Sequence, residues 1–337
     1  MFAELHCKSH YSFLTGASSP EELVYRAAEL AYQAIAITDE CSYAGIVKAF
    51  EASEACGIHL IVGSEFVIRM QHESITLVLL APNRTAYAEI SSLITKGRRR
   101  NEKGSYSITL EDLQFGLQHC LAIWLPNHSS QDISFGQQLD RFFRDRLWIG
   151  VELFWHSSDQ QRYLHCAELS QQLRVNMVAC NDVHMHCKTK KPLQDTLTAI
   201  RLGTTVDDLQ NQRQGNAERY LKPLEVLVQQ YPEALLRESL RIAELCSFSM
   251  TDLRYQYPHE VVPKGYSPSR YLRELSVAGA RKRWPDGVPK KVVKLLRYEL
   301  RIIRELHYEY YFLTIYDVVK FARERGILCQ GRGSAAN

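Results

Sequence analysis

The chain has 337 residues, of which 45% are hydrophobic and 23% charged, and its formal net charge is +3. This composition is typical of a globular protein and excludes a disordered or fibrous one, while the length allows two or three domains. The nine cysteines include no Cys-x-x-Cys spacing, which argues against a zinc ribbon or a disulfide framework. Without a signal-peptide pattern or an apolar run of membrane-spanning length, the sequence predicts a cytoplasmic protein that has no membrane partner.

Strand and helix patterns alternate over the first two hundred residues. Apolar runs with β-branched residues occur at 34–38, 60–68, 75–81, 120–125, 148–155 and 176–182. Helical patterns lie between them; the first begins with a capping box formed by Ser19 and Glu22, with Pro20 at its first position. The next helical pattern ends at Gly57, a typical stop signal. This alternation predicts an α/β fold with a largely parallel sheet, either open or closed into a barrel.

Helical periodicity replaces this alternation after about residue 205. Pro and Gly residues interrupt the later helices at 258–268 and 285–289. We therefore predict an α/β domain over residues 1–205, a linker and helical connection over 206–260, and an α-rich region over 261–337. The aromatic run at 307–316 is expected to pack in a core or between domains.

Potential metal ligands recur where the predicted strands end. The C-terminal ends of parallel strands converge on one face of an α/β fold, and His, Asp and Glu side chains suit a divalent metal. The alternative is that each polar residue caps the next helix or forms a turn. Because such residues recur across several strands, we favour a polar site composed of His6, Asp39, Glu65, His156, Asp182 and His184.

Several segments resemble the motifs of a known family. ELHCKSHYSFLTGAS, AIAITDECSYAG, GIHLIVGSEF and NDVHM…LQDTLTAI resemble successive motifs of the polymerase-and-histidinol-phosphatase (PHP) domain, which opens the bacterial C-family DNA polymerases. YLRELSVAGARKRWP and the segment from ELHYEYYF to GRGSAAN resemble the continuation into the polymerase palm. TDECSYAG and DVHMH…LQDT are closer to the error-prone branch, which acts in damage-induced synthesis. The resemblance implies a distorted (βα) barrel of PHP type, followed by an α-rich region that leads into a polymerase-beta-like palm.

The resemblance implies up to nine metal ligands, of which this chain retains only some. His6, Asp39, Glu65, Asp182 and His184 match ligands of the family, and His156 is a looser match. Histidines of the family are replaced by Lys8, Glu40, Thr76 and Gln194. Glu152 is expected to support the site rather than to ligate.

Lys8 stands where the second histidine of the opening His-x-His motif would be. A protonated lysine cannot ligate a metal, and neighbouring carboxylates favour its protonated form. We therefore expect Lys8 to pair with Asp39 or Glu65 and to substitute for a missing ion. The predicted site is degenerate and holds either no metal or a single weakly bound ion.

The segment CQGRGSAAN, at 329–337, predicts a tight turn that enters a helix N-terminus. Such a turn exposes backbone N–H groups to a phosphate, and Arg332 would add a positive charge. A flexible Gly-Ser turn without a ligand is the alternative. In C-family polymerases a Gly-Ser pair at this place holds the incoming nucleoside triphosphate, and Gly333 and Ser334 match that pair.

Basic residues are concentrated between residues 281 and 304. The segment KKVVKLLRYELRIIR, at 290–304, predicts an amphipathic basic helix that contacts DNA phosphates. A solvated helical face whose aliphatic side packs in a core explains the pattern equally well. The candidate DNA-binding residues are Lys290, Lys291, Lys294, Arg297 and Arg301. A second basic segment, GRRRNEKG at 97–104, is predicted to be a solvated loop.

The resemblance implies template-directed DNA synthesis from deoxynucleoside triphosphates, with Mg²⁺ in the complete polymerase. It also implies DNA, a sliding clamp and damage-response factors as partners. The family's catalytic aspartates are expected beyond Asn337, so this chain alone is not expected to polymerise. One alternative is a stand-alone metal-dependent phosphoesterase or 3'-5' exonuclease of the PHP family. Another is a purely structural domain that stabilises the palm.

Overall fold

The computed structural model describes residues 1–69, 73–114, 116–253, 257–259 and 261–330, with the side chain of residue 211 left aside. The chain forms two compact units, Met1–Leu253 and Arg254–Asn337. The described strands all lie in the first unit. They are β1 (Ala3–Glu4), β2 (Ala34–Ile37), β3 (His59–Arg69), β4 (Ser74–Leu80), β5 (Leu121–Leu125), β6 (Leu147–Glu152) and β7 (Met177–Cys180).

The helices of the first unit mostly separate successive strands. They are α1 (Pro20–Glu29), α2 (Ile46–Cys56), α3 (Arg84–Arg99), α4 (Leu110–Gln114), α5 (Asp132–Phe142), α6 (Asp159–Leu173), α7 (Lys191–Leu202), α8 (Leu224–Gln230) and α9 (Glu233–Leu245). The second unit contains α10 (Pro268–Arg283), α11 (Lys290–Glu305) and α12 (Glu309–Glu324). Short 3₁₀ helices lie at Lys188–Lys190, Asp207–Gln212 and Met250–Asp252. None of the described helices is long and apolar enough to cross a membrane.

The seven strands pair in chain order and the sheet curls into a barrel. Beyond the ends of β1 and β7, Cys7 pairs with Val183. The Lys8 N–H donates to the Val183 carbonyl at 2.8 Å, and the Val183 N–H donates to the His6 carbonyl at 3.0 Å. These bonds connect the first strand to the last, as the predicted PHP-type barrel requires.

The predicted largely parallel sheet is confirmed for four of the six described strand pairs, and β4 is the exception. This strand runs antiparallel to both β3 and β5, whereas the other pairs are parallel. Only residues 70–73 separate Arg69 from Ser74. A parallel crossover needs a dozen or more residues, so this short connection permits only an antiparallel pair.

Local sequence signals determine where the first helices begin and end. The Ser19 hydroxyl accepts from the Glu22 N–H at 3.1 Å, and the Glu22 carboxylate accepts from the Ser19 N–H at 2.9 Å. This is the predicted capping box, and it satisfies backbone donors that the first turn leaves free. Gly57 ends α2 with a φ of 76°, a conformation that costs glycine little. The predicted basic loop at 97–104 is partly wrong, because α3 continues to Arg99.

Helix α9 belongs to the first unit and packs against β7 and β1. The Ser239 hydroxyl accepts a hydrogen bond from the Ala3 N–H of β1 at 3.1 Å. The predicted domain boundary near residue 205 thus falls inside this compact unit, and the division of the chain into domains stays a prediction.

The helices of the second unit bury few side chains. None of the sixteen residues of α11 is buried, although all are described. In α12, Leu313 is buried but Tyr311, Phe312 and Tyr316 are exposed. The expectation that this run packs in a core is therefore correct for Leu313 and wrong for these three aromatic residues, and its packing between domains stays a prediction.

Candidate functional site

A cluster of buried polar side chains lies just beyond the ends of β1 and β7 and beside the middle of β3. The chain carries His6 and Lys8 just beyond β1, which ends at Glu4. Glu65 lies within β3, and Asp182 and His184 follow β7. All five side chains are buried. The structure therefore brings together five of the residues that the sequence singled out.

The His6 imidazole lies between two carboxylates. Its Nε2 atom is 2.7 Å from Glu65 Oε2, and its Nδ1 atom is 2.9 Å from Glu152 Oε1. Burial alone would lower the pKa of His6, but the hydrogen bonds to Glu152 and Glu65 outweigh it and raise the pKa. Glu152 thus supports His6, in agreement with its predicted role.

Lys8 lies at the centre of the cluster. Its Nζ atom is 2.8 Å from Glu65 Oε2 and 2.9 Å from Asp182 Oδ1. Burial alone would raise the pKa of Glu65, but the Lys8 charge and the His6 hydrogen bond bring it well below its ordinary value. The expected pairing with Glu65 is present, and the second partner of Lys8 is Asp182.

Asp182 is held in an unusual backbone conformation, with a φ of 40°. Positive φ values are uncommon outside glycine and concentrate at functional sites, where the surrounding structure imposes them. Its Oδ1 atom also lies 2.9 Å from His184 Nε2. Burial, followed by the charge of Lys8, brings the pKa of His184 well below its ordinary value, so this imidazole is neutral at pH 7.

Arg219 is a site residue that the sequence analysis missed. Its guanidinium forms an ion pair with Asp182 Oδ2 and lies over the Phe154 ring, 4.3 Å from the centroid. Burial lowers the pKa of Arg219, against the charges of Glu152 and Glu65. Arg219 follows Asp182 by 37 positions and lies in no motif, so no signal in the sequence indicated it.

Asp39 makes a separate set of hydrogen bonds. Its carboxylate accepts from the Ser9 N–H at 2.8 Å and from the hydroxyls of Ser9 and Ser12, each at 2.7 Å. Burial raises the pKa of Asp39, and these hydrogen bonds partly offset that effect. Among the described contacts, Asp39 therefore fixes the loop after β1 and does not pair with Lys8, in line with the alternative of a turn-forming aspartate.

The remaining predicted positions lie outside the cluster. His156 is exposed, and its Nδ1 atom is 3.0 Å from the Ser158 hydroxyl. Glu40 accepts a hydrogen bond from the Tyr106 hydroxyl at 2.8 Å. Gln194 bonds to Thr198 within α7, at 3.4 Å. The predicted nucleotide-binding residues Arg332, Gly333 and Ser334 lie outside the described residues.

Two family models match this chain. Residues 4–127 match the PHP domain, and residues 270–337 match the bacterial DNA polymerase III alpha NTPase domain. The first third of the chain is therefore similar to a PHP domain. The PHP match begins at Glu4, two residues before His6, and it includes Lys8 and Glu65. The buried cluster thus combines side chains from the region that matches the PHP model with the later segment around Asp182.

Curated relatives match the whole chain. The error-prone DNA polymerase of Methylococcus capsulatus is 51% identical over 338 residues, which cover 100% of this chain and 32% of the relative. The error-prone DNA polymerase of Teredinibacter turnerae is 48% identical over 336 residues, with the same shares. This chain is therefore similar throughout to error-prone DNA polymerases, and it spans about a third of the length of the curated relatives it matches.

Two solved structures are also similar to about half of this chain. A candidate metal-dependent phosphoesterase from Bifidobacterium adolescentis is 17% identical, with a TM-score of 0.41, over 54% of this chain and 87% of that structure. An amidohydrolase from Chromobacterium violaceum, with bound sulfate and no metal, is 16% identical. Its TM-score is 0.44 over 55% of this chain and 88% of that structure.

The donor atoms of the buried cluster are close enough to share one metal ion, but they already contact side-chain cations. His6, Glu65 and Asp182 each offer one ligand atom within 4.8 Å of the others. The Lys8 ammonium contacts Glu65 and one oxygen of Asp182, and Arg219 contacts the other oxygen. A divalent ion at these atoms would lie against a positive charge. The side chains of this buried cluster therefore do not fit a metal.

Proposed function

We propose that this chain is the N-terminal part of an error-prone DNA polymerase, which performs template-directed synthesis on DNA from deoxynucleoside triphosphates with Mg²⁺. The observation that carries the proposal is the 51% identity to such a polymerase over all of this chain, with a PHP domain followed by a polymerase III alpha region. A location in the cytoplasm, a sliding clamp and damage-response factors are further expectations of the same proposal.

A chimeric polymerase tests this proposal directly. This chain would replace the matching third of the Methylococcus capsulatus enzyme, and extension of a primed template would be measured. We expect the chimera to extend the primer and the 337-residue chain alone to be inactive. A soluble chimera without activity, beside an active parent, would refute the proposal.

Within that polymerase, we assign the PHP domain a structural role without hydrolysis. Three features support this assignment: the ammonium of Lys8 contacts two carboxylates, Arg219 contacts one of them, and Asp39 bonds to serines. Metal analysis of the purified chain is expected to find less than one ion per molecule. Manganese- or zinc-dependent hydrolysis of a phosphodiester, abolished by Asp182→Asn, would instead favour the phosphoesterase or 3'-5' exonuclease alternative.

For α11 we propose contact with DNA phosphates. Its amphipathic sequence places Lys290, Lys291, Lys294 and Arg297 on exposed positions, and Arg301, also exposed, lies 3.9 Å from Glu305. The absence of buried residues among the sixteen of this helix favours an accessible basic surface over a packed one.

Fluorescence anisotropy with a labelled primer–template measures this contact. Replacing Lys290, Lys291 and Lys294 with Glu should weaken binding about tenfold or more near 0.1 M salt and reduce its salt dependence, since fewer counterions are released. Lys103→Glu, on an exposed loop, is the control and should change affinity less than about twofold. Equal losses in both variants would indicate only a general effect of net charge.

A further inference from the structure

Two side-chain cations, rather than one, contact Asp182. Lys8 Nζ lies 2.9 Å from Oδ1, and the Arg219 guanidinium contacts Oδ2. We propose that Arg219 is a second resident cation of the PHP site, so that Asp182 bridges two side-chain cations as a bridging carboxylate would bridge two metal ions. This inference rests on the proposed role of Lys8 as a replacement for a metal ion.

The charges of the cluster support a second cation. Three carboxylates converge on His6 and Lys8, namely those of Glu65, Glu152 and Asp182. Lys8 supplies a single permanent positive charge, and the His6 imidazole, between Glu65 and Glu152, can add at most one more. A buried carboxylate without a cationic partner raises the free energy of the folded state, and Lys8 alone cannot neutralise three carboxylates. Arg219 supplies the second permanent charge, and its planar guanidinium suits a carboxylate partner.

The segment that carries Arg219 is fixed along its length, so this side chain is positioned rather than free. We call residues 216–222 the strap. At its start, the Asn216 side chain donates to the Phe154 carbonyl at 2.6 Å. At its end, the Lys222 ammonium is fully buried and donates to Asn181 Oδ1 at 2.8 Å.

The middle of the strap is bound to the backbone beside Asp182. The N–H groups of His184 and Met185 both donate to the Arg219 carbonyl, at 2.9 and 3.2 Å. Glu218 accepts from the Lys188 ammonium at 2.9 Å. Arg219 is therefore held next to Asp182 by backbone bonds that do not depend on its own charge, and its charge can be removed while the strap remains in place.

Thermal unfolding of the full chain tests the role of the charge through a double-mutant cycle. We expect Arg219→Met to lower Tm by about 6 °C or more, because the buried carboxylate of Asp182 loses a charged partner. Arg219→Lys retains the charge and should recover more than half of that loss. Asp182→Asn combined with Arg219→Met should cost less than the sum of the two single changes.

Arg213→Met is the matched control. Arg213 lies just before the strap and pairs with Asp195, outside the cluster, and its side chain is mostly exposed. We expect the Tm of the Arg213→Met variant to differ from that of the unaltered chain by less than about 2 °C. If Arg219→Met changed Tm no more than this control, or if Arg219→Lys recovered nothing, the inference would be overturned, because only packing on Phe154 would then be involved.

Manganese binding, measured by calorimetry, distinguishes this inference from the proposal about Lys8. The unaltered chain should bind no Mn²⁺, and Lys8→Met combined with Arg219→Met should bind it more tightly than Lys8→Met alone. Equal affinities in these two variants would refute the role of Arg219 and leave that of Lys8 intact. Tight binding by the unaltered chain would refute the role of Lys8 itself.

Discussion

The two units of this chain differ in where their stability resides. The first unit surrounds its strands with buried apolar residues, and even charged groups such as Glu4 and Lys222 lie fully inside it. The second unit has three long helices with few buried positions, and its described ion pairs lie on the surface. Helical periodicity in the sequence therefore correctly predicts helices in both units, but it does not indicate which unit has a densely packed core.

The largest expected contrast concerns aliphatic side chains. Ile37 of β2 is fully buried, whereas Leu295 of α11 is 56% exposed. Ile37→Ala should lower the free energy of unfolding by about 3–4 kcal/mol through lost burial and a residual cavity. Leu295→Ala should change it by less than about 0.5 kcal/mol. Urea denaturation followed by far-UV circular dichroism measures the unfolding free energy of both variants. Similar losses of stability would contradict this difference between the units.

The next largest difference in stability is expected between variants of a buried and an exposed lysine. Lys222 donates to Asn181, which in turn donates to Glu4, so these polar groups satisfy one another inside the barrel. Burial brings the pKa of Lys222 down to about 8, against the attraction of Glu4. Lys222→Met removes the buried donor to Asn181 and the positive charge nearest to Glu4, and it should cost about 3 kcal/mol of unfolding free energy.

Lys294→Met on α11 is the control for that variant, because Lys294 is exposed. We expect no measurable loss of stability from it in the same urea experiment. A loss comparable to that of Lys222→Met would mean that α11 packs more tightly than its exposed surface indicates.

The smallest expected contrast concerns ion pairs and depends on pH. Buried Asp112 accepts from the Thr109 N–H at 2.9 Å and pairs with Lys96 and Arg100. Burial alone would raise the pKa of Asp112, but its hydrogen bonds to Arg100 and Lys96 bring it well below its ordinary value. Because the folded-state pKa lies below the unfolded one, the stabilisation is present at pH 7 and is lost as pH falls below about 4.

Asp112→Asn should therefore cost about 1.5 kcal/mol at pH 7 and progressively less towards pH 2–3. Urea denaturation at several pH values measures this dependence. Glu274→Gln, which removes the exposed pair with Arg270 in α10, should have little effect at any pH. If the difference in unfolding free energy between Asp112→Asn and the unaltered chain stayed constant across this pH range, the stabilisation could not be assigned to the ionised carboxylate.

Features of the fold with local causes could be predicted from the sequence. The capping box at Ser19, the stop at Gly57 and the strands themselves depend on neighbouring residues. The antiparallel β4 was missed, although the four-residue connection before it contained the necessary signal. The exposed aromatic residues of α12 were also missed, because periodicity identifies an apolar face without identifying what covers it.

The residues of the site could be predicted where they belong to a sequence motif, and not elsewhere. His6, Glu65, Asp182 and His184 came from residue types at strand ends, and the lysine at position 8 indicated an internal cation. Asp39 could not be distinguished from a ligand, because its bonds to Ser9 and Ser12 depend on how the loop turns. Arg219 reaches Asp182 only through the path of the strap, which has no local sequence pattern.

The first strand depends on partners that are synthesised much later. The Glu4 carboxylate accepts hydrogen bonds from Asn181, and the Ala3 N–H donates to the Ser239 hydroxyl. The backbone just after the strand bonds to Val183. During translation, the first strand therefore lacks some of its hydrogen bonds until more than 230 further residues have left the ribosome (239 − 3 = 236). For the same reason, a fragment cut at residue 205 would lack one of these bonds permanently.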